Sequence, residues 1–70
     1  MEKSFYYLVT SAQASSLKQL LDNCAIPYTV EGPGEQLLMP SDAVAFVFPD
    51  LPVPQYHIVM RLFGGVGEPY

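Results

Sequence analysis

The sequence predicts a small α+β protein, a two-layer sandwich of order βαββ(β)α with an antiparallel-leaning sheet and its helices on one face. Three observations predict it. An aromatic and β-branched run, Phe5-Tyr6-Tyr7-Leu8-Val9-Thr10, is followed directly by a segment whose apolar residues recur at helical spacing. A second run, Ala43-Val44-Ala45-Phe46-Val47-Phe48, has no polar alternation and belongs at the centre of a sheet, buried on both faces or on one face plus an interface. Between these runs and after the second, Pro and Gly fall where connections are needed.

Each element has its own reason. Phe5–Thr10 reads as the first strand because such residues fit a pleated, half-buried surface. The helix after it starts at a capping box, either Thr10 with Gln13 or Ser16 with Gln19. Its apolar stripe is Ala14, Leu17, Leu20, Leu21 and Cys24, with Lys18 and Asp22 outward. Pro27 biases Ile26 away from the helical region, so the helix stops between Asn23 and Ala25. Tyr28–Glu31 then reads as a second strand. Gly32-Pro33-Gly34 is a turn, since Pro presets one backbone angle and Gly accepts positive φ. It is expected to close a hairpin whose returning strand is Gln36–Met39, interrupted by Pro40, before the central strand Ala43–Phe48.

Pro49-Asp50-Leu51-Pro52-Val53-Pro54 reads as a rigid extended linker rather than a docking ligand, because it lacks a basic flank. The segment from Gln55 to Phe63 fits two periods. As a strand it alternates Tyr56, Ile58, Met60 and Leu62 against His57, Val59, Arg61 and Phe63; as a helix it opens on Pro54 and stops at Gly64. Helix is favoured, because Pro at the start and Gly at the end is an asymmetry that strands have no need of. Residues 65–70 are expected to form a flexible tail, leaving 1–64 as a single domain. In outline this is similar to ferredoxin-like and ACT-like folds. The residues Leu20-Leu21 followed by Ala25-Ile26-Pro27-Tyr28 are only a helix-to-strand joint common to many families, and no single family is recognised.

Composition narrows the function. Seventy residues permit one domain, with a folded surface of about 4,300 Å² and a marginal core. Half of the residues are hydrophobic and only 14% charged, more apolar material than such a monomer hides easily, so a homodimer is expected. The net charge is −4, and the three bases Lys3, Lys18 and Arg61 are scattered, while five acids and no base lie between Lys18 and Arg61. No electropositive stripe can form from these, which argues against nucleic acid and against anionic membrane surfaces. The lone Cys24 cannot make an intramolecular disulfide, and neither a long apolar leader nor a membrane span is visible. A cytoplasmic location is the expectation.

No catalytic, cofactor-binding or metal-ligating residue is assigned. Cys24 closes the apolar stripe and is expected to be a buried small hydrophobe. His57, one helical turn from Arg61, is expected at the surface. Ser41, Asp42 and His57 could make a triad only on paper, since no nucleophile-elbow pattern supports them. The acids Glu31, Glu35, Asp42 and Asp50 lack the spacing of a calcium loop. Gly64-Gly65-x-Gly67 has no following helix on which to seat a phosphate.

What remains is surface for recognition. Tyr6, Tyr7, Tyr28, Tyr56 and Tyr70 are amphipathic rings of the kind enriched at interfaces, and Glu31, Glu35, Asp42 and Asp50 supply charge; of these, Tyr6, Tyr7, Tyr28, Tyr56 and the four acids are the candidate partner-binding residues. The expectation is a non-catalytic protein-binding module, a small intracellular inhibitor or adaptor that engages a basic site on a partner protein through these residues. The alternative is a homodimeric domain that senses a small ligand between sheet and helix or at the dimer seam.

Overall fold

Two strands distant in sequence form the middle of the sheet. A computed structural model describes residues 1–34 and 37–70. The elements are β1 (Phe5–Thr10), α1 (Ser11–Asn23), β2 (Thr29–Glu31), β3 (Ala43–Phe48), α2 (Val53–Phe63) and β4 (Glu68–Pro69). The strand order is β2-β3-β1-β4, with every neighbouring pair antiparallel. This order and connectivity are those of the split-βαβ, ferredoxin-like arrangement.

Register assigns the two faces. Phe5 pairs with Phe48, Tyr7 with Phe46 and Val9 with Val44, while Val30 pairs with Phe46 on the other side. These residues share the face toward the helices, where Ala14 and Leu21 of α1, Ile26, and Val59 of α2 join Tyr7, Phe46 and Phe48 in one buried cluster. The cluster is largely aromatic. Tyr7 stacks on Phe63 at 4.4 Å between centroids, Phe5 stacks on Phe48 at 5.2 Å, and Tyr56 meets Phe5 edge-on at 5.3 Å. Such pairs each add about 0.5–1.5 kcal/mol beyond area burial.

Both helices follow their predicted caps. Gln13 Oε1 accepts the Thr10 N–H at 3.2 Å, closing the reciprocal half of the first capping box. The segment from Gln55 to Phe63 is helical, with Pro54 in the first turn of α2 and Gly64 in the left-handed region at φ 76° after its end. Val53 and Pro54 therefore belong to α2, and the extended connector shortens to residues 49–52.

The end of α1 differs from expectation. Leu21 is fully buried and Leu17 half-buried, but Leu20 is 45% exposed and Cys24 is exposed. The physical reason is that α1 stops at Asn23, so Cys24 is the cap rather than another turn of the stripe. The chain then reverses through a Schellman motif, in which the Ile26 N–H donates to Leu21 O and the Ala25 N–H donates to Asp22 O, both at 3.1 Å. Ile26 packs in the core and takes the place expected for Cys24.

Two further expectations are corrected. The partner of β2 is β3 rather than a strand at Gln36–Met39: residues 37–39 form no strand, and Gln36 lies outside the described residues. The uninterrupted run of β3 buries every residue but the half-buried Val44, a gain that the segment broken by Pro40 does not offer. The tail is also structured. Glu68 pairs with Tyr6 and Pro69 with Phe5, Tyr70 N–H donates to Ser4 O, and the Tyr7 hydroxyl donates to Gly65 O at 2.7 Å. Gly67 permits this approach, since a Cβ there would lie 2.8 Å from Tyr6 O.

Ala25 occupies the left-handed position of the Schellman motif with φ 55°, where glycine is the favoured residue. Ala25→Gly is expected to stabilise the protein by about 1 kcal/mol, read as a higher urea midpoint at unchanged slope. A lower midpoint would show that this turn carries no strain.

Candidate functional site

Both helices lie on one side of the sheet, and the opposite side gathers an aromatic and acidic set. Alternation along the strands sends Tyr6, Leu8, Ala45, Val47, Thr29 and Glu31 to this outer face. Glu68, paired with Tyr6, joins them from the far edge. Glu31 and Glu68 thus stand on the two outermost strands, with the aromatic and aliphatic residues between them.

A polar lattice crosses this face. Lys3 Nζ donates to Glu31 Oε2 at 2.5 Å and to the Tyr70 hydroxyl at 3.2 Å, and the Tyr70 hydroxyl donates to Glu31 at 2.9 Å. The ammonium also lies 5.0 Å from the centre of the Tyr70 ring. Tyr70 meets Tyr6 edge-on, with centroids 6.1 Å apart. Because β3 lies between β1 and β2, a link from Tyr70 beside Tyr6 to Glu31 must pass over β3. Val47 and Ala45 are fully buried, although among the described residues no helix lies on that side. Leu8 remains 45% exposed beside them.

Charge on this face is partly compensated. The hydrogen bond from Lys3 lowers the Glu31 pKa below its ordinary 4.5, with Tyr70 adding to the effect and desolvation opposing it. The hydrogen bond to Glu31, then that to Tyr70, raises the Lys3 pKa above 10.5. Glu31 is therefore held as a carboxylate, a hydrogen-bond acceptor rather than a proton donor. Among the described residues no three of His, Cys, Asp and Glu gather into a metal-sized group.

The other sequence-derived candidates are dispersed. Tyr7 is buried in the aromatic core, and desolvation first of all raises its hydroxyl pKa. Tyr28 lies against Phe46 and donates to Asp22 of α1 at 3.0 Å, tying the start of β2 to the helix side. Desolvation and that bond raise its pKa as well. Tyr56 is half-buried against Phe5. Asp42 is exposed before β3, where its carbonyl accepts the Ser11 N–H, and Asp50 accepts the Ser4 hydroxyl beyond the other end of β3. An extended strand of that length separates the two by about 26 Å, so they share no patch. Glu35 lies outside the described residues. Of the candidates, Tyr6 and Glu31 are the pair that the fold brings to one face.

Sequence reasoning named Tyr70 as an interface-type ring but missed Lys3, Leu8 and Glu68, and did not place Tyr70 beside Tyr6. Only sheet order brings them together, and no local spacing signals it. The alternation of Tyr6 with Leu8 was the one available sign, since it places both on the face opposite Tyr7.

Two predictions separate packing from surface. Tyr7→Ala is expected to cost about 3–5 kcal/mol in urea unfolding, and Tyr6→Ala markedly less; equal losses would mean that both rings serve the fold alike. The second concerns acid. A depressed carboxyl pKa contributes stability that is present above pH 4.5 and lost as pH falls through the folded value. Glu31→Gln should therefore flatten the loss of stability below pH 4.5, measured by urea midpoints across an acid series, and an unchanged slope would remove the pair's role. Comparison with family models, curated proteins and solved structures finds no match to this chain.

Proposed function

We propose that this protein is a non-catalytic protein-binding module, an inhibitor or adaptor in kind, whose outer sheet face engages a basic site on a partner protein. The observation that carries this reading is the composition of that face: Tyr6 and Tyr70 in contact, Leu8 exposed, and Glu31 and Glu68 at its two edges, with no helix among the described residues laid over it. Aromatic anchors within a polar rim are what recognition surfaces use.

The Lys3 pair does not block such a partner. An exposed ion pair of this kind is worth about 0–1 kcal/mol, whereas an incoming guanidinium can bind the Glu31 carboxylate through two parallel hydrogen bonds. The Tyr70 hydroxyl bonds the same carboxylate and so lies beside the incoming group. Association steered by Glu31 and Glu68 would weaken with salt, as expected for exposed charges. A homodimer remains compatible with the apolar excess and is read in the same experiment.

The test is affinity capture from native lysate with the wild-type chain and Tyr6→Ala, at low and high salt, with the mass of the free chain measured by light scattering. A basic partner that elutes with salt and whose affinity falls at least about tenfold in Tyr6→Ala supports the reading. A partner retained equally by both chains places recognition elsewhere.

A further inference from the structure

Helix α2 turns a second and differently charged surface to solvent. Helical spacing sets Val53, His57 and Arg61 in one row and Pro54 and Ile58 in the row beside it, and all five are exposed. Their exposure is not trimmed by neighbours: Val53 is 64% and Ile58 38% exposed, and Val66 just beyond the helix is 71% exposed. The core is served by the other side of α2, where Val59 is fully buried and Leu62 and Phe63 pack against it. The outward rows are thus surplus to folding.

A groove of about 390 Å³ runs beside the last turns of α2, lined by His57, Ile58, Met60, Arg61 and Gly65. Its chemistry is apolar with a basic border. α2 contains no acid, and Arg61 has no ion-pair partner among the described residues, where the one salt bridge joins Lys3 to Glu31. A guanidinium without a counter-charge therefore borders an apolar groove in a protein of net charge −4.

Complementarity selects the occupant. A second copy docked symmetrically through α2 would bring two unpartnered Arg61 guanidinium groups into one interface, with no acid on either α2 to offset them. A basic segment would meet the same repulsion. We infer that this groove docks an acidic segment of a partner protein, with one large apolar side chain lodged against Ile58 and Met60 and a flanking Asp or Glu on Arg61. Arg61 suits that role, since its planar fork binds a carboxylate through two parallel hydrogen bonds. The site is independent of the outer sheet face, from which the sheet itself separates it, and its partner has the opposite charge.

A random peptide library displayed on phage, selected against the full chain at low salt, tests this. The enriched peptides are expected to carry Asp or Glu next to a large apolar residue. A synthetic copy should shift amide resonances of residues 53–66, bind Arg61→Glu and Ile58→Ala at least about tenfold more weakly, and bind the charge-matched control Lys18→Glu as well as wild type. Absence of enrichment, enrichment of basic peptides, or binding that Arg61→Glu leaves unchanged overturns the inference. So does a two-chain mass in light scattering that falls to one chain in Ile58→Ala, which would make the occupant a second copy. Arg61 is exposed, so its variant is expected to keep the wild-type fold, confirmed by its amide spectrum.

Discussion

Phe5 opposite Phe48 and Tyr7 opposite Phe46 put four aromatic rings on one side of the β1–β3 pair, and that row decides where the helices go. Rings of this size cannot be hidden by strands alone, so α1 and α2 must both lie over them, with Leu21 and Val59 at the centre. The consequence for the other side is just as strong. Once both helices are committed, the outer face has no helix among the described residues, and the Lys3–Glu31–Tyr70 lattice crosses it from edge to edge. The pairing also joins residues more than thirty positions apart in sequence, so loop closure precedes any reward from the core.

How much of this was legible in the chain differs by element. β1 and β3 match their expected bounds, because each is an uninterrupted run of strand-forming residues between clear breaks. α2 was legible through Pro54 and Gly64, although its residues fit both periods. The end of α1 was legible and its start was left between Thr10 and Ser16, but its apolar stripe was over-read at Leu20 and Cys24: nothing before Ala25 in the sequence states that Cys24 will be a cap. Strand pairing was the least visible feature. The Gly32-Pro33-Gly34 turn suggested a local hairpin, yet β2 pairs with β3 across residues 32–42. For the site, Tyr6, Tyr70 and Glu31 were identified from residue type, whereas Lys3, Glu68 and the meeting of Tyr70 with Tyr6 depend on tertiary placement that no local pattern encodes.

The molecule presents two surfaces of different polarity on opposite sides of one sheet. The outer face places Glu31 and Glu68 at its borders with a single paired lysine, and α2 offers Arg61 and His57 with no acid on the helix. A layer built from one sheet and two helices is thin enough for both to lie within one small domain. The separation has a physical cause, since alternation along the strands and the 3.6-residue period of α2 each sort polar residues away from the shared aromatic core.

The edges of the sheet carry a final consequence. β2 spans three residues and β4 only two, one of them Pro69, which has no N–H to donate. An apolar-rich chain with long open edges would template its own stacking, strand on strand, into fibrils. Here β3 lies between two strands, whereas β4 covers β1 only beside Phe5 and Tyr6, so the longest open border among the described strands is the four-residue edge Tyr7–Thr10 of β1. The hydrophobic half of the chain thus meets solvent along only a short edge on which strands could stack.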